Sequence, residues 1–388
     1  MSNSKSRTSL IILGTAIAAS AITYIAYEYF NSKNKSNTVK KNEVLELPTI
    51  ELSSFFNRDT NFDNYKAECA KVADALHKYG LCIVRDPRVK EEHNNKFLDM
   101  MEVYFGKSDG IRDARPEYHY QVGVTPEFIE KPRDHCSKLG SLGPDDKPLS
   151  PCPPELDPKW RFFWRVGPVP PKTKFPALNA DDVIPPDMPQ WKDVMDMWGN
   201  KMMDALFTLA EMAAVGFDLP NDSFTSRMKF GPHLLAPTGS DYNKFGKEGT
   251  VLAGYHYDLN FLTIHGKSRF PGLHVWTRDG KRAGVRIPDG CLLVQAGKQI
   301  EYLTGGHVLA GYHEVIVSQG TVEVIEQRKK ENKSLWRVSS TCFGHVQSDQ
   351  ILEPLDKFRT PETTTQFPPI AAGDQVKIEL DAISLSRS

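Results

Sequence analysis

Between about residues 226 and 346 the chain breaks into short β-rich runs: LTI, LHVW, VRI, CLLVQ, HEVIV and WRVSSTCF. Gly, Pro and Asp separate them, with RDGKR and PDG as turns. Many short strands at such spacing close into a sandwich or a barrel-like jelly roll, because each strand buries one face and needs a second layer. Helical patterns precede them. Cys69, Val72, Ala73 and Leu76 share a face of a helix predicted over residues 64–79, stopped by Gly80 and followed by the strand LCIV. A second helix carries Phe97, Met100, Met101, Tyr104 and Phe105, and a third, over residues 191–217, bears a wide apolar stripe from Trp191 to Leu209. Residues 130–190 hold too much proline for regular elements and read as a long ordered loop that wraps the body or borders a pocket. WRFFWR, residues 160–165, reads as packing, with a substrate entrance as its alternative.

The fold class expected is α+β: a β core over residues 226–346, a helical N-terminal region with its proline-rich loop over 47–225, and a C-terminal tail over 347–388. The 388 residues carry 48 Lys+Arg against 49 Asp+Glu, with 40% hydrophobic and 25% charged residues. This balance excludes a disordered chain and argues against nucleic acid as a partner. Six scattered cysteines with no CxxC pair exclude a disulfide scaffold or zinc ribbon and suit a reducing compartment.

Residues 8–27, TSLIILGTAIAASAITYIAY, form an uncharged stretch of twenty. A helix of that length spans roughly 30 Å, the thickness of a hydrocarbon core. The stretch reads as an N-terminal transmembrane anchor, within residues 1–30, more than as a cleaved signal, whose apolar region is shorter. Lys5 and Arg7 precede it; Lys33, Lys35, Lys40 and Lys41 follow. The heavier positive flank places the body in the cytosol of a single-pass membrane protein. Residues 31–46 are polar and lysine-rich, a flexible linker.

The chemistry lies in a few residues. His256 and Asp258 are two apart, so on an extended segment both project to one side, and a borderline ion such as Fe(II) accepts their mixed N and O donors. A third donor is required. His313 follows Asp258 by 55 residues, and His265, His274 and His307 compete with it on spacing. Two imidazoles and one carboxylate on one face of iron leave positions open for a chelating cosubstrate and O2. Arg337 and Ser339, again two apart, suit a ligand carboxylate.

In these residues the chain resembles the isopenicillin N synthase-like non-haem Fe(II), 2-oxoglutarate-dependent dioxygenases, also called iron/ascorbate-dependent oxidoreductases. Members show H-x-D, a GGLQV-like strand, a PGSLVVNIGDxLExLTNG-like stretch, then H, then R-x-S. This chain reads His256-Tyr257-Asp258, PGLHVW, PDGCLLVQAGKQIEYLTGG, His313 seven residues later, then Arg337-Val338-Ser339. The gapless match through LTGGHVLAGYH selects His313 over His307. The resemblance covers roughly residues 47–346 and is firmest over 250–345. It implies a double-stranded β-helix (jelly-roll) fold, Fe(II) on His256, Asp258 and His313, and 2-oxoglutarate with its distal carboxylate on Arg337 and Ser339. It further implies O2-dependent oxidation of a small organic substrate, with succinate and CO2 as coproducts, or an ascorbate-dependent oxidase using the same residues. A tethered jelly-roll that binds metal or ligand without turnover is the rival reading.

Four departures stand out. Lys298 replaces the family's usual Asp, and Glu314 follows His313 where Arg is common. No clean Tyr-Pro strand is present, with FGP (230–232) and LAP (235–237) as loose candidates. His313 and Arg337 are 24 residues apart, and the excess, TVEVIEQRKKENKS, reads as an inserted helix with Thr321 as its N-cap.

Overall fold

The strands alternate between two kinds of surface, and that alternation builds the site. The computed structural model describes residues 44–383 and Leu385. In chain order the strands are β1 (Thr49–Glu51), β2 (Leu81–Arg85), β3 (Gly123–Thr125), β4 (Trp160–Val166), β5 (His233–Leu235), β6 (Thr238–Asp241), β7 (Val251–His256), β8 (Leu262–Gly266), β9 (Leu273–Trp276), β10 (Arg282–Gly284), β11 (Leu292–Ala296), β12 (His313–Ile316), β13 (Trp336–Gly344), β14 (Ile351–Leu352) and β15 (Ile370–Ala371).

Among the described residues they form a nine-stranded sheet ordered β1-β2-β11-β8-β13-β5-β4-β3, with β6 pairing β13 and β4, a four-stranded sheet ordered β10-β9-β12-β7, and the pair β14-β15. Leu293 of β11 and Val275 of β9 share one apolar cluster, so the two larger sheets face each other as in a jelly roll. On β8, β11 and β13 the other face belongs to the main core: Leu262, Ile264, Leu292, Val294, Val338 and Cys342 pack there with the helix Trp191–Gly216. That helix also packs on the helix Phe62–Tyr79, where a Cβ on Gly216 would stand 2.1 Å from the carbonyl oxygen of Cys69.

The predicted helices at 64–79 and 191–217 are present, displaced by no more than two residues. The inserted helix is Gln319–Lys330. Its N-cap is Ser318 rather than Thr321: the Ser318 hydroxyl accepts from the Thr321 amide, and the Thr321 hydroxyl accepts from the Ser318 amide, a capping box that shifts the start by three residues.

In the region 47–225 the expected strand LCIV is β2, and β3 and β4 join it in the large sheet. WRFFWR is β4. Its burial on both faces hides the period of two on which a strand is recognised. Segment 347–388 carries β14, β15 and the helix Ala372–Ala382 rather than a bare tail.

One expectation from cysteine spacing is corrected. Cys136 and Cys152 form a disulfide, their Cα atoms 5.7 Å apart, because the proline-rich loop folds back on itself over sixteen residues, which a search for adjacent pairs does not detect. Cys69, Cys82, Cys291 and Cys342 are free and buried. Among the described residues no helix is long and apolar enough to cross a membrane. The expected anchor at residues 8–27 lies outside the described residues.

Candidate metal centre

β7 ends at His256 and β12 begins at His313, and these two residues are direct cross-strand partners. Their imidazole centroids are 4.2 Å apart. Asp258 lies two residues beyond the end of β7, with Oδ1 3.9 Å from Nε2 of each histidine. The three donor atoms all fall within 4.8 Å of one another, a triangle within reach of a single ion. The competing histidines lie elsewhere. His307 stacks on His77 with centroids 4.1 Å apart, and His274 points Nδ1 at the Gly272 carbonyl. His265 bonds Thr341.

Each donor is held from behind. His256 Nδ1 donates to the Gly254 carbonyl at 2.6 Å, leaving the Nε2 lone pair for a ligand. Burial, and then the neighbouring His313, hold His256 well below the usual imidazole range, so the ring is neutral. His313 Nδ1 is 2.6 Å from the side-chain amide of Gln295 and 3.4 Å from the Gly311 carbonyl. A metal on Nε2 fixes the proton on Nδ1, which makes an oxygen, that of the Gln295 amide or of Gly311, the acceptor.

Asp258 Oδ2 accepts from the Thr263 hydroxyl at 2.6 Å, and its carbonyl accepts from the Lys298 amide at 2.8 Å. The Gln299 amide likewise donates to the Asn260 carbonyl. The stretch 297–299 therefore grips the Asp258 loop by backbone alone. Gly297 is required there, because a Cβ would stand 2.1 Å from the Asn260 oxygen. The Lys298 side chain turns to Glu301 at 2.5 Å. A lysine is tolerated at this position because the interaction that positions Asp258 comes from its main chain.

Arg337 and Ser339 face inward on β13, together with Thr341. The Ser339 hydroxyl lies 3.1 Å from that of Thr341, which lies 3.1 Å from His265 Nδ1. His265 is pushed down to about 4, chiefly by burial, and lies within electrostatic range of Asp258, His313 and Arg337. It thus connects the donor triad to the guanidinium. Arg337 is 6% exposed, and among the described residues no carboxylate pairs with it. Its Nε is buried without a partner, as are the Tyr242 hydroxyl, which acts on it electrostatically, and His265 Nε2. A buried cation without a counter-charge is costly, and a ligand carboxylate supplies that charge. The donor set fits Fe(II), and the orphaned guanidinium fits a dicarboxylate beside it.

Sequence reasoning did not single out Gln295, Thr263 or Tyr242. The available signal was a polar residue within an otherwise apolar strand, Thr263 and His265 at alternate positions of LTIHG and Gln295 alone in LLVQA. The proline-rich loop does border the site. The Leu149 and Ser150 amides and the Ser150 hydroxyl donate to Glu314, and Asp157 accepts from the Gly254 amide.

No family model matches the chain. A 2-oxoglutarate-dependent dioxygenase of Gibberella zeae is 25% identical over 290 residues, covering 71% of this chain and 70% of that protein. A solved structure assigned to the 2OG-Fe(II) oxygenase family, from Caulobacter crescentus, superposes with a TM-score of 0.65 at 21% identity, covering 87% of this chain and 99% of that one. A full-length Neurospora crassa protein solved in complex with alpha-KG also gives 0.65, at 16% identity over 88% of this chain and 99% of that one. A rice dioxygenase for auxin oxidation gives 0.55, at 16% identity over 87% and 95%. With its motif in family order, its strands in a jelly roll and its three donors on one triangle, the chain is similar in sequence and fold to the non-haem Fe(II), 2-oxoglutarate-dependent oxygenases.

Proposed function

We propose that the protein oxidises a small organic substrate with O2 and 2-oxoglutarate, His256, Asp258 and His313 holding Fe(II) and Arg337 with Ser339 receiving the distal carboxylate of 2-oxoglutarate. The observations that carry this reading are the donor triangle and a buried guanidinium without a carboxylate partner, both within electrostatic range of His265. The alpha-KG bound by the Neurospora neighbour supports it.

Fe(II) in this site supplies the redox chemistry by which one O2, 2-oxoglutarate and a substrate C–H become succinate, CO2 and a hydroxylated product. The chain contributes orientation. The Gly254 carbonyl keeps the His256 lone pair facing inward. Thr263 holds one oxygen of Asp258 and leaves the other to ligate. Arg337 neutralises the far end of the cosubstrate, and Ser339 and Thr341 line its path with hydroxyls.

The test is anaerobic Fe(II) reconstitution followed by O2 uptake with and without 2-oxoglutarate, and with ascorbate. Uptake that requires 2-oxoglutarate supports the reading. Uptake on ascorbate alone makes the protein an ascorbate-dependent oxidase, and no uptake despite retained iron makes it a binding protein.

The reading includes an N-terminal anchor, supported by the uncharged residues 8–27 and the lysines that follow them. The full chain is expected to stay with membranes through an alkaline carbonate wash, with its body open to protease from the cytosolic side. Release into the wash overturns the anchor.

A further inference from the structure

The cavity that opens onto His256 and Asp258 carries a second guanidinium, that of Arg161 on β4. Three buried charges lead to it in sequence. Asp157 pairs with Lys159 at 2.6 Å, Lys159 with Glu130 at 3.2 Å, and Glu130 with Arg161 at 2.9 Å. The two acids and two bases balance. Lys159 serves both acids, whereas Arg161 has one nitrogen on Glu130 and its Nε is buried without a partner. The series therefore ends in a cation with unused N–H groups at the cavity. Arg133, the cavity's other guanidinium, is committed to Glu379 at 2.7 Å.

The guanidinium of Arg161 lies over the Phe163 and Phe343 rings, 5.4 and 5.6 Å from their centroids, which orients its plane. Phe163, Leu234 and Ala236 form a buried apolar cluster with Phe343 packed against it. Arg337 lines a different cavity, with His265 and Ser339, so the two guanidinium groups do not compete for one ligand. The recess at Arg161 is small and open at its mouth, which limits its occupant to a small molecule. A neutral apolar substrate would leave the Arg161 Nε unsatisfied.

We propose that the substrate is a small apolar carboxylic acid, its carboxylate on Arg161 and its body against Phe163, Leu234 and Phe343, beside the His256–Asp258 edge of the triad. This rests on the oxygenase reading for the use made of the site, but not for binding at it.

The test is calorimetric titration of the full chain, loaded anaerobically with Fe(II) and 2-oxoglutarate so that nothing turns over. Phenylacetate, cyclohexanecarboxylate and octanoate are the probes, each against its amide. In the wild-type protein the acids are expected to bind at least about tenfold more tightly than the amides, the range of a charge-assisted hydrogen bond. Arg161→Gln is expected to erase that preference while leaving amide binding in place, and Arg161→Lys to restore part of it. Phe343→Ala should weaken acids and amides alike. Equal binding of acid and amide by the wild-type chain overturns the proposal whether or not any variant folds. So does acid binding that survives Arg161→Gln, or an absence of binding by all three acids at millimolar concentration. Succinate release by the wild-type protein is measured in parallel. An acid preference without 2-oxoglutarate turnover keeps this site and overturns the oxygenase; turnover without an acid preference does the reverse.

Discussion

His313 depends on a neighbour that no motif contains. Its Nδ1 lies 2.6 Å from the Gln295 amide, and Gln295 is fully buried. Partners of this kind fix the tautomer and ring angle of a ligand histidine, and losing them typically lowers metal affinity 10–100-fold. Gln295→Leu keeps similar bulk and removes the amide. The expected outcome is a chain that still folds but whose Fe(II) dissociation constant rises about 10–100-fold in a chelator-competition titration; unchanged affinity would show that the Gly311 carbonyl suffices. The clustering of the three candidate donors was legible in the sequence because order and spacing survive folding: two donors two apart at a strand end, and a third at the head of a later strand. Gln295 was not. In CLLVQ it reads as one polar residue in an apolar strand, and only the β11–β8 register shows it facing the same interior as Thr263. Arg161 was hidden for a related reason, since its role comes from a charge series closed by Glu130, which is distant in sequence though near in space.

At the scale of elements, Glu314 joins the proline-rich loop to the strand that bears His313. It is fully buried, takes Arg282 Nη2 at 2.8 Å, and accepts from the loop at Leu149 and Ser150. Burial pushes its carboxyl up while Arg282 opposes that shift. Glu314→Ala leaves a mostly buried guanidinium and two loop amides without their acceptor, and removing one member of a buried pair costs about 3 kcal/mol or more. The expected result is a urea midpoint lowered accordingly, with faster protease cleavage in residues 142–156 than in the wild-type protein; equal cleavage of the two would mean that the Cys136–Cys152 bond alone holds the loop. This coupling gives Glu314 its structural part: the covering loop needs an acceptor, and this side chain supplies it. The loop's place at the site was foreseeable from its proline content and its length. Its anchorage was not, because the partners are main-chain amides, which have no signature in sequence. The helices were the most legible elements, since a single apolar stripe, such as Trp191 to Leu209, faces a single layer. β4 was the least, because nearly all of its residues are buried and both faces look like core.

For the whole molecule, two stability measurements probe separate parts. Burial raises the Asp182 carboxyl to about 6, although it is partly exposed and accepts from the Arg165 amide at 2.7 Å. The folded chain therefore holds a proton there that the unfolded chain releases near its ordinary value of 3.8. Its contribution is complete below that value and is lost as pH rises through about 6. Asp182→Asn can still accept from Arg165. It should leave stability unchanged at acid pH and raise it above pH 6 by about 1 kcal/mol after allowing for solvent, or about 2 °C in Tm; a difference that is the same at all pH values would refute the titration. The second measurement concerns the sheets. His256 and His313 belong to the four-stranded sheet, while Asp258 is tied through Thr263, and His313 through Gln295, to the nine-stranded one. An ion on the triad thus links both layers of the jelly roll, which makes metal occupancy a property of the fold as well as of the site. Binding to the folded state alone contributes RT ln(1 + [L]/Kd), about 2.7 kcal/mol at a hundredfold excess over Kd. Anaerobic Fe(II) at that excess should raise Tm by roughly 5 °C, and a chelator should reverse the rise. In His256→Ala the same titration should leave Tm unchanged and the metal content at background. A Tm that rises equally in the variant would place the ion somewhere other than between the two sheets, and the assignment of the three donors would fall with it.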